Sequence, residues 1–104
     1  MTPVESFTDG DWQAVLESPL PVVVGFWADW CVPSRGLQPA LETLARRHEN
    51  ALRVGLLNVD ENLETPRRYG ICGLPTLLML RRGEEALRRV GLVSPEALLT
   101  LFQP

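Results

Sequence analysis

Hydrophobic positions along the chain alternate between short continuous runs and stretches with helical spacing. The run Val22–Trp27 is almost entirely β-branched or aromatic, which is typical of a strand covered on both faces in a parallel sheet. From Cys31 to Asn50 the leucines instead recur three and four positions apart, the pattern of an amphipathic helix. Pro39 lies inside that stretch and predicts a kink. A second buried strand is predicted over Leu52–Val59.

The remaining predicted elements are shorter and are set off by capping and turn residues. They are an edge strand at Val4–Phe7, a helix capped by Thr8 or Asp9 and reaching Ser18, a helix at Leu63–Tyr69 closed by Gly70, strands at Thr76–Leu80 and Ala86–Val90, and a last helix capped by Ser94. The resulting order, βαβαβαββα, begins parallel and ends antiparallel. It predicts an α/β fold with a central mixed sheet of four to five strands and helices on both faces. Residues 1–104 are expected to form a single domain.

The composition is that of a globular domain, with 104 residues, 45% of them hydrophobic and 22% charged. The net charge is −3, and eight of the ten arginines occur as four adjacent pairs. Since each pair is flanked by apolar or acidic residues, we expect a solvated surface and no nucleic-acid partner. The chain has no lysine, which excludes Schiff-base chemistry and a P-loop.

No segment has the features of a membrane or export signal. Residues 1–12 lack a basic start and an apolar core, and the longest apolar stretch, Leu20–Ala28, is too short to span a bilayer. We therefore expect a cytoplasmic protein with no membrane partner. In that compartment Cys31 and Cys72 are more typical of free or catalytic thiols than of a structural disulfide. Two cysteines and the single His48 cannot form an ordinary zinc site, so no metal or other cofactor is expected.

The candidate nucleophile is Cys31, in Trp30-Cys31-Val32-Pro33-Ser34, where the predicted strand gives way to the predicted helix. The first amides of a helix have no intrahelical partner and carry partial positive charge, so a sulfur placed there is favoured as the thiolate. The loop position after Trp30 predicts exposure, and Pro33 stiffens the first helical turn. The alternative is a small buried cysteine at an ordinary helix start.

This segment resembles the active site of the thioredoxin family, normally Trp-Cys-Gly-Pro-Cys. The resemblance extends over essentially the whole chain. Val59–Asn62 is similar to the end of the family's third strand, and Tyr69–Thr76 is similar to the loop that carries the family's cis-proline, here Pro75. Pro39 matches the helix kink, and Gly91 matches the glycine that keeps the substrate groove open. The resemblance implies the thioredoxin fold and thiol–disulfide exchange.

The chain also departs from the family pattern at four positions. Ser34 replaces the second, resolving cysteine, and Val32 replaces the glycine of the motif. The buried aspartate of the family falls on Gly25, and its lysine neighbour falls on Leu56. In the family that carboxylate accepts a proton from the resolving thiol, and a buried carboxylate is costly. A laboratory change would have replaced the cysteine alone, so the set favours a natural monothiol motif.

The resemblance implies a surface for an extended peptide around the sulfur, with Trp30 at its rim. The expected substrate groove consists of Gly73, Leu74, Pro75, Thr76, Gly91 and Leu92, of which Leu74 and Leu92 would pair with a peptide backbone. Cys72 lies three residues before Pro75. Cys72 either resolves Cys31 in place of Ser34, or is joined to it by a disulfide, or is a partly exposed free thiol. Bridging the two cysteines requires Cα atoms within about 7 Å and converging Cβ vectors. Because loops that line a site do not automatically meet this requirement, the free thiol is favoured.

Three functions follow from these residues. In the first, Cys31 attacks a substrate disulfide, and the mixed disulfide is resolved by the substrate's second cysteine or by glutathione. The protein would then be a monomeric, monothiol protein-disulfide oxidoreductase or isomerase, with protein disulfides, glutathionylated proteins and glutathione as partners. In the second, the fold is a non-catalytic docking or chaperone-like module, which the bulk of Val32 beside the sulfur favours. In the third, it is a redox sensor that dimerises through Cys31 or Cys72.

Overall fold

The computed structural model describes residues 4–31, 34, 36–91 and 93–104, and in them five strands form one mixed sheet. The spatial order is β1-β3-β2-β4-β5. β3 runs parallel to both β1 and β2, whereas β4 runs antiparallel to β2 and β5. This is the mixed sheet that the sequence predicts. The strands are β1 Val4–Ser6, β2 Val22–Trp27, β3 Arg53–Asn58, β4 Thr76–Arg81 and β5 Glu84–Val90.

Helices pack on both faces of the sheet. They are α1 Trp12–Leu16, which follows a 3₁₀ turn at Asp9–Asp11, α2 Leu37–Arg47, α3 Glu64–Arg68 and α4 Pro95–Leu101. One buried cluster joins α2 and α4 to the sheet through residues such as Leu41, Leu98 and Val23. A second cluster joins α1 to the opposite face through residues such as Val15 and Phe26. β2 is therefore covered on both sides, as its apolar run predicts.

The helix predicted over Cys31–Asn50 is wrong in its extent. Ser34 has helical backbone, Gly36 lies in a turn, and α2 begins at Leu37, so the interruption precedes Pro39 instead of bending the helix at it. Pro39 is the third residue of α2, where its missing N–H costs no intrahelical bond. At the other end, the helix stops at Arg47 because the His48 carbonyl accepts the N–H groups of the following turn.

The final hairpin has a tighter turn than predicted. Arg81 pairs with Glu84, so the strands are joined by only Arg82 and Gly83. Both residues have positive φ, at 54° and 80°. A two-residue loop with this backbone matches the right-handed twist of the strands it joins. β5 therefore begins at Glu84 and not at Ala86.

Asp9 links the N-terminal segment to the start of α3. Its carboxylate accepts hydrogen bonds from the backbone N–H groups of Glu64 and Thr65, at 3.1 and 2.8 Å, and from the Thr65 hydroxyl at 2.6 Å. Burial opposes ionisation of Asp9, but these hydrogen bonds outweigh it, and the pKa of Asp9 lies below its ordinary value. Asp9 thus caps a helix more than fifty residues away in the sequence.

Within the described ranges, no helix has both the length and the apolar character needed to cross a membrane.

Candidate active site

Cys31 lies just beyond the carboxyl end of β2, and the turn before it is closed by a hydrogen bond from its N–H to the Ala28 carbonyl (3.1 Å). Its sulfur points across to a second segment, because the Cys31 Sγ lies 3.7 Å from the carbonyl oxygen of Leu74. The residue is only 9% exposed. The predicted exposure of Cys31 is therefore wrong, since the Leu74 segment lies over the sulfur.

The loop that faces Cys31 is fastened to β4 and β5. The peptide bond between Leu74 and Pro75 is cis. The Pro75 carbonyl accepts a hydrogen bond from the N–H of Gly91 (2.8 Å), and the Thr76 hydroxyl donates to the carbonyl of Gly73. A Cβ added to Gly73 would lie 2.8 Å from Val90 Cγ1. The structure thus brings the described groove residues together, from Gly73 to Thr76 and Gly91.

Trp30 is the most exposed large hydrophobic residue among those described, at 66%. It immediately precedes Cys31, and its predicted exposure matches the structure. Trp27 belongs to β2 and is half-buried. Val32, Pro33 and Leu92, which complete the predicted motif and groove, lie outside the described residues, and their roles stay predictions.

Ser34 is buried, at 2% exposure, and its hydroxyl is surrounded by backbone groups. The Ser34 Oγ lies 2.9 Å from the Ala28 carbonyl oxygen and 2.8 Å from the Cys31 carbonyl oxygen, and it accepts a hydrogen bond from the Ala28 N–H at 3.3 Å. The Ser34 N–H also donates to the Cys31 carbonyl (3.0 Å). Ser34 therefore joins the end of β2 to the residue that carries the sulfur.

Beneath this loop the core is apolar. Gly25 of β2 pairs with Leu56 of β3. A Cβ added to Gly25 would meet Leu37 Cδ2 at 2.8 Å, Leu41 Cδ1 at 3.0 Å and Leu56 Cδ2 at 3.1 Å. The space that a buried aspartate would need at position 25 is therefore filled by leucine methyl groups. A neighbouring cavity of about 90 Å³ is lined by Trp27, Ser34, Gln38 and Leu56, none of which is titratable.

Cys72 occupies a different environment from Cys31. It is exposed, and its thiol donates to the carbonyl of Gly70, two residues earlier, at 3.2 Å. Neither cysteine is in a disulfide. The pKa of Arg88 on β5 is raised, chiefly by its hydrogen bonds to Glu85, with a smaller contribution from the nearby charge of Cys72.

Two features of this site are absent from the sequence-based prediction. A serine hydroxyl often donates a hydrogen bond to the backbone carbonyl three or four residues earlier. This pattern could have indicated the Cys31 carbonyl as a partner of Ser34. Nothing in the sequence indicates that Ala28 supplies the other two contacts, or that the Leu74 carbonyl faces the sulfur. In the part of the chain that the structure describes, no three His, Cys, Asp or Glu residues are grouped to hold a metal ion.

Comparison with known proteins agrees with the fold. The family model described as Thioredoxin matches residues 3–103. A thioredoxin of Rickettsia prowazekii (strain Madrid E) is 38% identical over 97 residues, which cover 92% of each chain. A thioredoxin of Acidithiobacillus ferridurans is 46% identical over 88 residues, which cover 85% of this chain and 81% of the relative. The chain belongs to the thioredoxin family, whose members carry out thiol–disulfide exchange on protein disulfides.

Proposed function

We propose that the protein carries out thiol–disulfide exchange by a monothiol route through Cys31. In the first step, the Cys31 thiolate attacks one sulfur of a substrate disulfide, that S–S bond breaks, and the other half leaves as a thiolate. In the second step, a thiolate from glutathione or from the substrate attacks the mixed disulfide and releases Cys31. With a glutathionylated substrate, one glutathione removes the glutathionyl group from Cys31 as glutathione disulfide, and the net reaction is deglutathionylation. With a protein disulfide, the first glutathione becomes attached to the substrate, and a second one completes the reduction by leaving as glutathione disulfide. Attack by the substrate's own cysteine makes the net reaction an isomerisation.

The observation that carries this proposal is the contrast between Cys31 and position 34. The Cys31 sulfur borders the loop of the Leu74–Pro75 peptide bond, where a peptide disulfide is expected to dock. At position 34 a serine hydroxyl, hydrogen-bonded to backbone carbonyls, takes the place of a second thiol. A serine hydroxyl is not ionised near neutral pH, so it cannot resolve the mixed disulfide, and an external thiol is required.

Cys72 is left outside this mechanism. Its thiol is bonded to its own loop through Gly70, and it is not joined to Cys31. We further propose a monomer that acts in the cytoplasm, where glutathione is abundant enough to serve as the reductant.

The test is turnover of a glutathionylated peptide with reduced glutathione present. Catalysed release of the peptide is expected for the parent protein and for Cys72→Ser, and its loss for Cys31→Ser. Mass spectrometry should detect the adduct of Cys31 with one glutathione in the parent protein. Equal turnover by the parent protein and by Cys31→Ser would contradict the proposal.

The low exposure of Cys31 beside the exposed Trp30 favours one other candidate, a docking module that binds peptides without redox chemistry. In that case capture of an unfolded peptide should be unchanged by Cys31→Ser and by an excess of reductant. Exchange chemistry predicts instead that a captured peptide disulfide is released by reductant.

A further inference from the structure

We propose that Ser34 is a positioning residue that holds the Cys31 loop closed against the Leu74 segment, an inference that rests on the exchange function proposed above. The hydrogen bonds of the Ser34 hydroxyl go to backbone groups, so Ser34 acts through the loop and not on the substrate. Its hydroxyl connects two points of that loop, the peptide group at Ala28 and the carbonyl of Cys31.

The hydroxyl of Ser34 uses its donor and one of its two acceptor positions in bonds to backbone groups. A hydroxyl offers one donor and two acceptor positions. The donor is directed at the carbonyls of Ala28 and Cys31, at 2.9 and 2.8 Å, and one lone pair receives the Ala28 N–H. Since Ser34 is nearly inaccessible to solvent, removing the hydroxyl deprives buried backbone groups of a direct hydrogen-bond partner.

These bonds also fix where the sulfur lies. Ala28 directly follows β2 and is fully buried, so its position is fixed by the core. Cys31 lies three residues farther on, after the exposed Asp29 and Trp30. Because Ser34 links Cys31 to Ala28 by hydrogen bonds, the Cys31 Sγ stays against the Leu74 carbonyl. Without these hydrogen bonds, the turn opens, and the sulfur becomes accessible to reagents that the Leu74 segment excludes in the parent protein.

Sulfur cannot take over this role from oxygen. The two donor distances of Ser34, 2.8 and 2.9 Å, are those of O–H···O hydrogen bonds. A thiol is larger and is a weak donor. An added methyl group is easier to place, because Ser34 borders the cavity of about 90 Å³ described above. A threonine at position 34 therefore keeps the hydroxyl, whereas a valine of nearly the same shape lacks it.

The experiment measures the rate of alkylation of Cys31 by iodoacetamide across pH, in a Cys72→Ser background. The plateau at high pH measures access to the thiolate, and it needs no exchange activity. Ser34→Ala should raise the plateau rate about fivefold or more, because leaving buried polar groups unpaired favours the open turn. Ser34→Thr should stay within about twofold of the parent, and Ser34→Val should match Ser34→Ala.

A distant destabilising change, Asp9→Ala, controls for loss of stability. It weakens the cap of α3 and should leave the Cys31 plateau at the parental rate while the protein is folded. Should Ser34→Ala fail to fold, the threonine and valine variants decide the question, since they differ only in the hydroxyl. Equal plateau rates for threonine and valine, or an Asp9→Ala rate as high as that of Ser34→Ala, would overturn the positioning role. If Ser34 behaves as expected but the parent does not turn over a glutathionylated peptide, the proposed exchange function fails and the positioning of Cys31 stands.

Discussion

The two sides of the Cys31 loop differ in what they retain of thioredoxin chemistry. The outer side, formed by Trp30, Cys31, Leu74 and Pro75, has a sulfur beside a groove with an exposed indole. The inner side, formed by Gly25, Ser34, Leu37, Leu41 and Leu56, has leucine methyl groups and a hydroxyl bonded to backbone. Attack on a disulfide needs only the outer side, whereas intramolecular resolution needs a thiol and a proton acceptor on the inner side. The comparison shows that two changes occur together: serine replaces the second thiol, and leucine side chains fill the space where the family's buried aspartate would lie.

The largest effect is expected from placing the family's carboxylate on the inner side. Gly25→Asp puts a Cβ within 2.8 Å of Leu37 and 3.1 Å of Leu56, and it buries a carboxylate with no counter-ion among its described neighbours. The free energy of unfolding should fall by about 4 kcal/mol or more, since overpacking and an unpaired buried charge add. Urea denaturation followed by tryptophan fluorescence measures this loss.

Gly36→Asp is the matched control for that change. Gly36 is exposed at the N-cap of α2, has a φ of −79°, and has open space where a Cβ would be added. Aspartate is favoured at this position over glycine by a few tenths of a kcal/mol, so stability should be equal or slightly higher, by at most about 0.5 kcal/mol. A Gly25→Asp protein as stable as Gly36→Asp would show that the inner side accepts a carboxylate after all.

On the outer side, Trp30→Ala should weaken substrate capture without weakening the fold. Removing an exposed indole beside the sulfur should cost about 2 kcal/mol of peptide binding, roughly a thirtyfold rise in KM. The free energy of unfolding should change by less than about 0.5 kcal/mol. Leu63→Ala, at a residue 61% exposed on another segment, is the control and should leave KM unchanged. A rise in KM for both variants would remove the special role of Trp30.

Acid sensitivity of the fold should arise from Asp9 and not from the inner side, whose residues have no titratable side chain. The pKa of Asp9 is lower in the folded protein than in the unfolded chain. Its stabilising effect is therefore complete above the unfolded pKa, near 3.8, and is lost as pH falls through the folded value. Asp9→Ala should cost about 1 kcal/mol at pH 7 and flatten the decline of stability below pH 4. An unchanged decline in urea titrations at pH 7 to 3 would contradict this assignment.

The smallest effect is expected from Cys72→Ser. The Cys72 thiol is exposed, and its hydrogen bond goes to its own loop. The free energy of unfolding should therefore change by less than about 0.5 kcal/mol, the range of ordinary surface substitutions. The exchange rate should stay within about twofold of the parent. Turnover of the glutathionylated peptide measures the rate. A tenfold loss of turnover would assign the resolution of the mixed disulfide to Cys72, so that attack and resolution would both occur on the outer side.

Much of the fold was predictable because local signals and the global packing agree. The β-branched run of β2, the Thr8 and Ser94 caps, and the apolar stripe of α2 each appear as expected. One error arises where a long-range contact overrides the local pattern, and another where a local turn interrupts the periodicity. Cys31 is buried because the Leu74 segment, 43 residues away, lies over it. The helix before Pro39 is interrupted at Gly36, where periodicity alone predicts continuity.

The sequence by itself determined the order of the elements, the single thiol at the end of β2 and the absence of a lysine–aspartate pair behind it, since these depend on residue identity and spacing. Only the tertiary structure decided how deeply the sulfur lies, which carbonyl it faces, and that Ser34 joins Ala28 to Cys31. Those features depend on where separate segments meet, and burial and hydrogen-bond geometry exist only after the sheet has brought the segments together.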